Sequence, residues 1–518
     1  MRRRNSFFEV LQFPLEVLFF AVILLGIGNL LTSSMFSSFW VIRNPYVLMI
    51  AEALMRIGSF LITNFPFLFV IRLVSVKGGG AATNISGLAG YAAFLVMTMF
   101  FTKTNLQATA YSSIFGISIA SSSVEALSTT THYPLQTGVI GAIFVSLITV
   151  SSYKRSRGRS QYGFFAFIDR DAYCVIRTVF FCCLAGVGTA LLWPYLLSGL
   201  QQILDFIAAD TTNPINLTLY GVLDRFMSVL NLNTLTRQPF WYGADGGTWI
   251  NNVGGSIAGD VNIWAKQLAA GSLTGMAGRF ITPYYVLNLF AAPGMIWAVY
   301  SLKTDLIDRR RTRLFFILAT IVSLFSGTLL PLELVLFLLC PLLFLMHLAY
   351  TGVLFGVFQA MHVYLGFNYT GTSTITAMPG TLMEFLSYLN NPTLRHTLIV
   401  VAVVGVVSFF VYFLMTQLYF RHLAVDLFKV GDTDRMVAGT IKAVGGLTNI
   451  KMIHSSAAVL TVQVFDPNLM DIQRLKELGA SRITDTKAGY AISYGAASTM
   501  VRMGMNKSMR DSIRQVRS

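Results

Sequence analysis

The chain is organised by apolar stretches that begin near residues 14, 45, 85, 134 and 173 in its first half and near 282, 314, 334 and 397 in its second. Each is long enough to cross the roughly 30 Å hydrocarbon layer of a bilayer as a helix. With no water in that layer, backbone N–H and C=O groups must be satisfied internally, and apolar runs of this length do so as α-helices. Composition agrees. Of 518 residues, 54% are hydrophobic, only 12% are charged and 41 are phenylalanine, too oily for a soluble globular protein of this size. The expected fold is a polytopic α-helical membrane protein of about 10 transmembrane helices plus re-entrant segments, followed by a small C-terminal α/β domain.

Three interruptions stand out. Asn64-Phe65-Pro66, the segment 104–125 and the turn Gly327–Glu333 place proline or polar residues at membrane depth. Irregular backbone survives there only under cover of protein or a cavity, so these are the expected broken or re-entrant segments. The start has a basic head and an apolar run without a small-residue cleavage site, which reads as an uncleaved first transmembrane helix. Basic runs at Arg2-Arg3-Arg4, Lys154–Arg159 and Arg309–Arg313 are expected on the cytoplasmic side, together with the C-terminal domain. Three clear spans follow Arg313 and would leave that domain outside, so one further crossing is expected within 355–395 or near Pro331. The net charge of +15 resides in short runs between apolar spans, as topology determinants do, and gives no footing to a nucleic-acid partner.

The four cysteines, Cys174, Cys182, Cys183 and Cys340, lie in or beside apolar segments, without the spacing of a metal site or a disulfide framework, and read as packing residues. No metal or cofactor is expected, and no cysteine follows Cys340. Near Val430 the pattern changes to a helical stretch (Arg435–Val444), a Gly-Gly turn, strand-like runs (Val459–Phe465, Ala491–Tyr494) and a polar helix (Met470–Leu478). The expected domains are 1–430 in the membrane, 431–504 as a cytoplasmic α/β unit, and 505–518 as a basic tail, disordered or lying along anionic lipid.

An ordered set of landmarks then resembles one family. It comprises Gly26-Ile27-Gly28, Asn64-Phe65-Pro66-Phe67-Leu68-Phe69, Phe164-Phe165, Gly221 to Arg225, Pro239-Phe240-Trp241, Ser326-Gly327, Pro331-Leu332-Glu333, and Pro341 followed by His347. Nearly the whole chain resembles the glucose-type enzyme IICB permeases of the bacterial phosphotransferase system (PTS). The resemblance implies a homodimeric inner-membrane sugar permease with an elevator-like substrate domain, and a IIB domain whose cysteine passes a phosphoryl group to the sugar.

The departures fall on the chemistry. Where such permeases read Gly-Leu-His-His, this chain has Asn231-Leu232-Asn233-Thr234, with Arg225 retained upstream. Where they read Gly-Ile-Thr-Glu-Pro-Ile-Glu, it has Gly327-Thr328-Leu329-Leu330-Pro331-Leu332-Glu333, keeping only the second glutamate. Ala443 to Ile450 resembles the opening of a glucose-type IIB domain, and Leu478-Gly479-Ala480 and Tyr494-Gly495 its later turns. The phosphocysteine position is nevertheless Ser456, and the arginines that follow it are replaced by Val459 and Thr461. A thiolate is populated near neutral pH, whereas a serine hydroxyl needs a general base, and arginines would hold the phosphoryl dianion in bidentate fashion. No catalytic residue is therefore expected, and Ser456 marks a degenerate acceptor position.

The substrate-binding residues expected from the resemblance are Arg225, Asn231, Asn233, Thr234 and Glu333. Glu333 also stands out independently, because an intramembrane carboxylate is costly enough to mark a functional position, against a bland role holding the Gly327–Pro331 turn. For Arg225 the bland reading is a structural ion pair with Asp224, and for His347 a satisfied core histidine. Two functions remain open. One is a permease for a carbohydrate, moved unmodified or phosphorylated by a separate PTS phosphocarrier. The other is a non-transporting membrane sensor or regulator whose tail docks a cytoplasmic partner. Membrane lipids and a second copy of the chain are expected neighbours.

Overall fold

A computed structural model describes every residue except 1, 33–43, 79–80, 102–105, 107–109, 112–113, 115–118, 123–128, 158–167, 251–253, 276, 303–305, 369–377, 423–429, 456–458, 481, 487–488, 495–496 and 518. The chain forms two compact units. One is Val10–Leu423, and the other joins Met1–Glu9 to Ala424–Ser518.

The larger unit is helical. Its first half holds α1 (Arg2–Thr32), α2 (Pro45–Thr63), α3 (Phe65–Gly78), α4 (Ala81–Phe101), a two-stranded antiparallel ribbon β1 (Ile119–Ser122) and β2 (Thr129–His132), α5 (Gly138–Arg157) and α6 (Arg170–Ala209). The expected break at Asn64 is the joint between α2 and α3. There the Asn64 amide donates to the Phe60 carbonyl at 2.8 Å, and Pro66 occupies the first turn of α3, where a missing N–H costs nothing. Most of 104–125 lies outside the described residues, apart from β1 and a few isolated positions.

After α6 come α7 (Pro214–Val229), α8 (Asn233–Trp241), the short ribbon β3 (Thr248–Ile250) and β4 (Ser256–Ala258), α9 (Asp260–Ala269), α10 (Thr282–Val286), a π-helical turn over Leu287–Ala291, and α11 (Ala292–Ser301). The unit closes with α12 (Leu306–Ser326), α13 (Leu330–Leu339), α14 (Pro341–Ala360), the short α15 (Leu382–Ser387) and α16 (Arg395–His422). The main pairings are α4 on α6, α7 on α14, α3 on α5, and α11 on α16.

Six helices of the described residues are long and apolar enough to cross a membrane: Phe13–Thr32, Pro45–Thr63, Ala81–Phe101, Arg170–Ala209, Pro341–Ala360 and Pro392–Phe420. Their outer faces are apolar. On α16, Ile399, Val403, Val406, Phe410, Leu414 and Leu418 are exposed at three- and four-residue spacing, a helical stripe that only lipid or another apolar surface can cover. Between α14 and α16 no described helix has membrane length. The extra apolar element after Arg313 is instead α13, near Pro331, whose ten residues extend about 15 Å.

Gly327 sets the turn from α12 into α13 with φ +67°, and a Cβ there would run into the Met378 carbonyl. Gly327→Ala should therefore lower the apparent melting temperature of the detergent-purified protein, by a strain of about 1–3 kcal/mol. In contrast Gly188→Ala, within α6 where a Cβ meets nothing within 4 Å, should be neutral or slightly stabilising. Equal melting of the two variants would show that the Gly327 turn carries no strain.

In the smaller unit, α17 (Val430–Ala443), β5 (Ile450–Ser455), β6 (Leu460–Val464), α18 (Ile472–Glu477), β7 (Arg482–Thr486), β8 (Gly489–Ser493) and α19 (Ala497–Arg517) surround an antiparallel sheet ordered β5-β6-β8-β7. Its core gathers Val437, Val444, Ile453, Leu460, Val462, Leu475, Ile492, Val501 and Met505. Gly445 and Gly446 both take φ +91°, the left-handed turn that the Gly-Gly pair requires. Asn449 fastens that turn by donating to the Val444 and Asp466 carbonyls. Strands β5 and β7 were not expected from the sequence. Residues 505–517, expected within a separate basic tail that is disordered or lies along anionic lipid, continue α19. Helix α19 is held to the sheet through Val501 and Met505, so the expected boundary at 504/505 falls inside a helix.

Candidate functional site

Helix α7 begins with Pro214 in its first turn and Asn213 as its cap, the Asn213 side chain accepting from Ile215 N. Its buried face carries Tyr220, Gly221, Asp224, Arg225 and Ser228 at helical spacing. Gly221 leaves room for the Phe355 ring of α14. Between α7 and α8 the chain reverses through Asn231 at φ 58°, a conformation that asparagine tolerates better than most residues. The reversal brings Thr236 and Arg237 of α8 back onto Asp224.

Asp224, fully buried, is the hub. Its Oδ2 accepts from Arg225 Nη2 at 2.6 Å and Nε at 3.1 Å, from Tyr284 Oη at 2.5 Å and from Arg237 Nη2 at 3.2 Å. Its Oδ1 accepts from Arg237 Nε at 2.8 Å and Thr236 Oγ1 at 3.1 Å. The chain of contacts continues from Arg225 Nη1 to Glu333 Oε1 at 3.0 Å, on to His347 Nε2 at 3.3 Å, and from His347 Nδ1 to the Tyr412 hydroxyl at 2.7 Å. Both guanidinium groups lie close to the Tyr284 ring, with centroid distances of 4.5 Å for Arg225 and 5.5 Å for Arg237. Five side chains with charge or titratable character are thus buried in one alternating series, Arg237–Asp224–Arg225–Glu333–His347. The second carboxylate oxygen of Glu333 has no hydrogen-bond partner.

Beside this series a cleft of about 20 Å³ is lined by Ile62, Ser228, Asn231, Asn233, Arg237, Thr328, Leu330 and Met378. That volume suits about one water. The cleft lies between the α7–α8 reversal and the Gly327–Leu330 turn. Of the expected substrate-binding residues, Asn231 and Asn233 border the cleft. Arg225 and Glu333 are joined to each other and do not line it, nor does Thr234, the second residue of α8. Arg237 was missed. It stands in a polar stretch, Asn233-Thr234-Leu235-Thr236-Arg237-Gln238, so nothing in the local sequence marked it as buried.

In the smaller unit, Ser456 lies outside the described residues. The hairpin around it, β5 to β6, contains Lys451 and no arginine, and Thr461 sits within β6 opposite His454. His454 is exposed on β5, 2.9 Å from the Met452 sulfur. Among the described residues no group of three His, Cys, Asp or Glu side chains is placed to hold a metal.

The family described as "Phosphotransferase system, EIIC" matches residues 8–352, more than half of the chain and all of the cleft except Met378. The chain belongs to this EIIC family. It is a membrane-embedded sugar permease of the PTS, and the glucose-type resemblance holds over most of its length. The EIIC permease is similar to the PTS system glucoside-specific EIICBA component of Staphylococcus carnosus (strain TM300), with 24% identity over 526 aligned positions, covering 97% of this chain and 72% of the relative. Among solved structures it is similar to the transporter ChbC, the IIC component from the N,N'-diacetylchitobiose-specific phosphotransferase system. That likeness has a TM-score of 0.30 and 11% identity, over 82% of this chain and 96% of that one.

Because Glu333 accepts from Arg225 and His347 and does not border the cleft, its neutralisation should act on stability first. Glu333→Gln should lower the melting temperature of the EIIC permease while changing ligand affinity per folded molecule by less than about threefold. A tenfold loss of affinity at unchanged melting temperature would place the carboxylate in contact with the ligand instead.

Proposed function

We propose that the cleft between the α7–α8 reversal and the Gly327–Leu330 turn is where this EIIC permease takes its carbohydrate. Asn231, Asn233 and Arg237 meet the ligand, while Arg225 and Glu333 hold the segments that carry them. The observation that supports this reading is that a cleft with polar side chains from both segments lies inside the family-matched region. The glucoside-specific relative suggests a glycoside or a related sugar. The basic runs support a cytoplasmic N-terminus and smaller unit in a bacterial cell, and the exposed stripe on α16 offers an apolar face for lipid or for a second copy in a homodimer.

With Ser456 at the acceptor position and no cysteine beyond Cys340, the tail does not phosphorylate the sugar. The solute is released unmodified, or a separate phosphocarrier supplies the phosphoryl group. Uptake of labelled glycosides into proteoliposomes, with and without phosphoenolpyruvate and the general phosphocarrier proteins, tests the proposal. Accumulation in either condition supports it. Binding without uptake in both would establish the sensor reading, and neither binding nor uptake by folded protein would overturn the site.

A further inference from the structure

Among the described residues the cleft is lined by one charged side chain, Arg237, and by no carboxylate. The orientation of that arginine matters. Its Nε and Nη2 are both committed to Asp224, at 2.8 and 3.2 Å. Among the described residues Nη1 has no hydrogen-bond partner, nor is it one of the buried polar atoms left without one, which leaves it facing the cleft that Arg237 lines. Arg225, by contrast, spends all three guanidinium nitrogens on Asp224, Tyr284 and Glu333 and does not reach the cleft.

The formal charges of Arg237, Asp224, Arg225 and Glu333 cancel as a set, but they are not symmetrically arranged. The positive member at one end faces the cleft, and Glu333, the negative member at the other end, is three contacts further in. Asp224 divides its charge between two guanidinium groups, so Arg237 is only partly neutralised by it. The remaining polar wall, Ser228, Asn231, Asn233 and Thr328, supplies hydroxyl and amide groups with no formal charge. An arginine with one open edge, in a low-dielectric setting lined by neutral donors and acceptors, is a receptor for an oxyanion rather than for a hydroxyl, since hydrogen bonds to a charged partner are roughly twice as strong.

Resting on the reading of the cleft as the substrate site, we propose that its ligand is an anionic carbohydrate, a sugar bearing a carboxylate or a phosphate, whose charged group meets Arg237 Nη1. The neutral hydroxyls of the same sugar meet Asn231, Asn233 and Thr328. The present volume admits about one water, so binding separates the Gly327–Leu330 turn from α8.

The test is equilibrium binding to the full-length, detergent-purified protein of three probes: methyl glucoside, glucuronate and glucose 6-phosphate, with inorganic phosphate as a fourth. At least one anionic sugar should bind about tenfold or more tightly than methyl glucoside, and which of the two does so distinguishes carboxylate from phosphate. Arg237→Gln should abolish that preference. Because this variant leaves Asp224 with one cation fewer, the folded fraction is measured separately and Arg237→Lys serves as a second variant, expected to keep a reduced preference for the anion. Tighter binding of methyl glucoside by wild type would overturn the proposal and leave the sugar site standing. Absence of binding by any probe to folded protein would overturn both. Equal binding of inorganic phosphate and glucose 6-phosphate, or an anion preference that survives in folded Arg237→Gln, would also overturn it.

Discussion

Replacing Asp224 by alanine should leave little folded protein. The change removes the acceptor of six hydrogen bonds and strands Arg237 without its one ion-pair partner among the described residues, while Arg225 keeps Glu333. Breaking a buried ion pair by removing one member costs about 3–5 kcal/mol, because an uncompensated charge remains in a low-dielectric interior. Unfolding of membrane proteins in detergent is commonly irreversible, so the practical readout is the yield of monodisperse protein and its inactivation half-life at fixed temperature. The mechanism has its own check. Adding Arg237→Met to Asp224→Ala should recover part of the loss, since it deletes the stranded cation, and the two changes should be strongly non-additive. A yield and half-life for Asp224→Ala equal to wild type would show that the network contributes nothing.

The second large effect is an absence of phosphoryl transfer. Incubated with labelled phosphoenolpyruvate and the general phosphocarrier proteins, the purified chain should take up no label, and Ser456→Cys alone should not change that. On the proposed reading of the tail as a degenerate IIB domain, Val459 and Thr461 stand where guanidinium groups would neutralise the phosphoryl dianion. Each charge-assisted hydrogen bond contributes about 1.5–3 kcal/mol, so two missing arginines weaken transfer by roughly two to four orders of magnitude. The triple variant Ser456→Cys, Val459→Arg, Thr461→Arg should accept label. Labelling of wild type on Ser456 or His454, or appreciable labelling of the single variant, would sink the argument.

Much of the architecture could be read before any coordinates because the bilayer imposes its own grammar. The long apolar runs near residues 14, 45, 85, 173 and 397, the Asn64–Pro66 break and the Gly327–Pro331 turn appear where hydropathy and proline placed them, whereas the runs near 282, 314 and 334 are divided into shorter apolar helices. Other features left weaker traces. Helix α6 continues unbroken for 40 residues through Pro194, whose position in a helix interior would ordinarily suggest an end. Strands β5 and β7 carry mixed polar and apolar residues at a solvent-exposed surface and lack clean alternation. At the site, Glu333 was legible from the cost of burying a carboxylate, and Arg225 beside Asp224 suggested a local ion pair. What sequence spacing could not show was that the reversal at Asn231 folds Arg237 onto the same aspartate. That turns a neighbouring pair into a series reaching from α8 through α7 and α13 to α14.

That series also dictates what can slide past what. Its links join α7, α8, α10, α13 and α14, and pulling any one of them away would expose an orphaned charge to an oily surrounding. These helices are therefore expected to stay linked through their buried charges while the Gly327–Leu330 turn ahead of α13 gives way, so that a displacement carrying a solute would fall at seams that cross no ion pair.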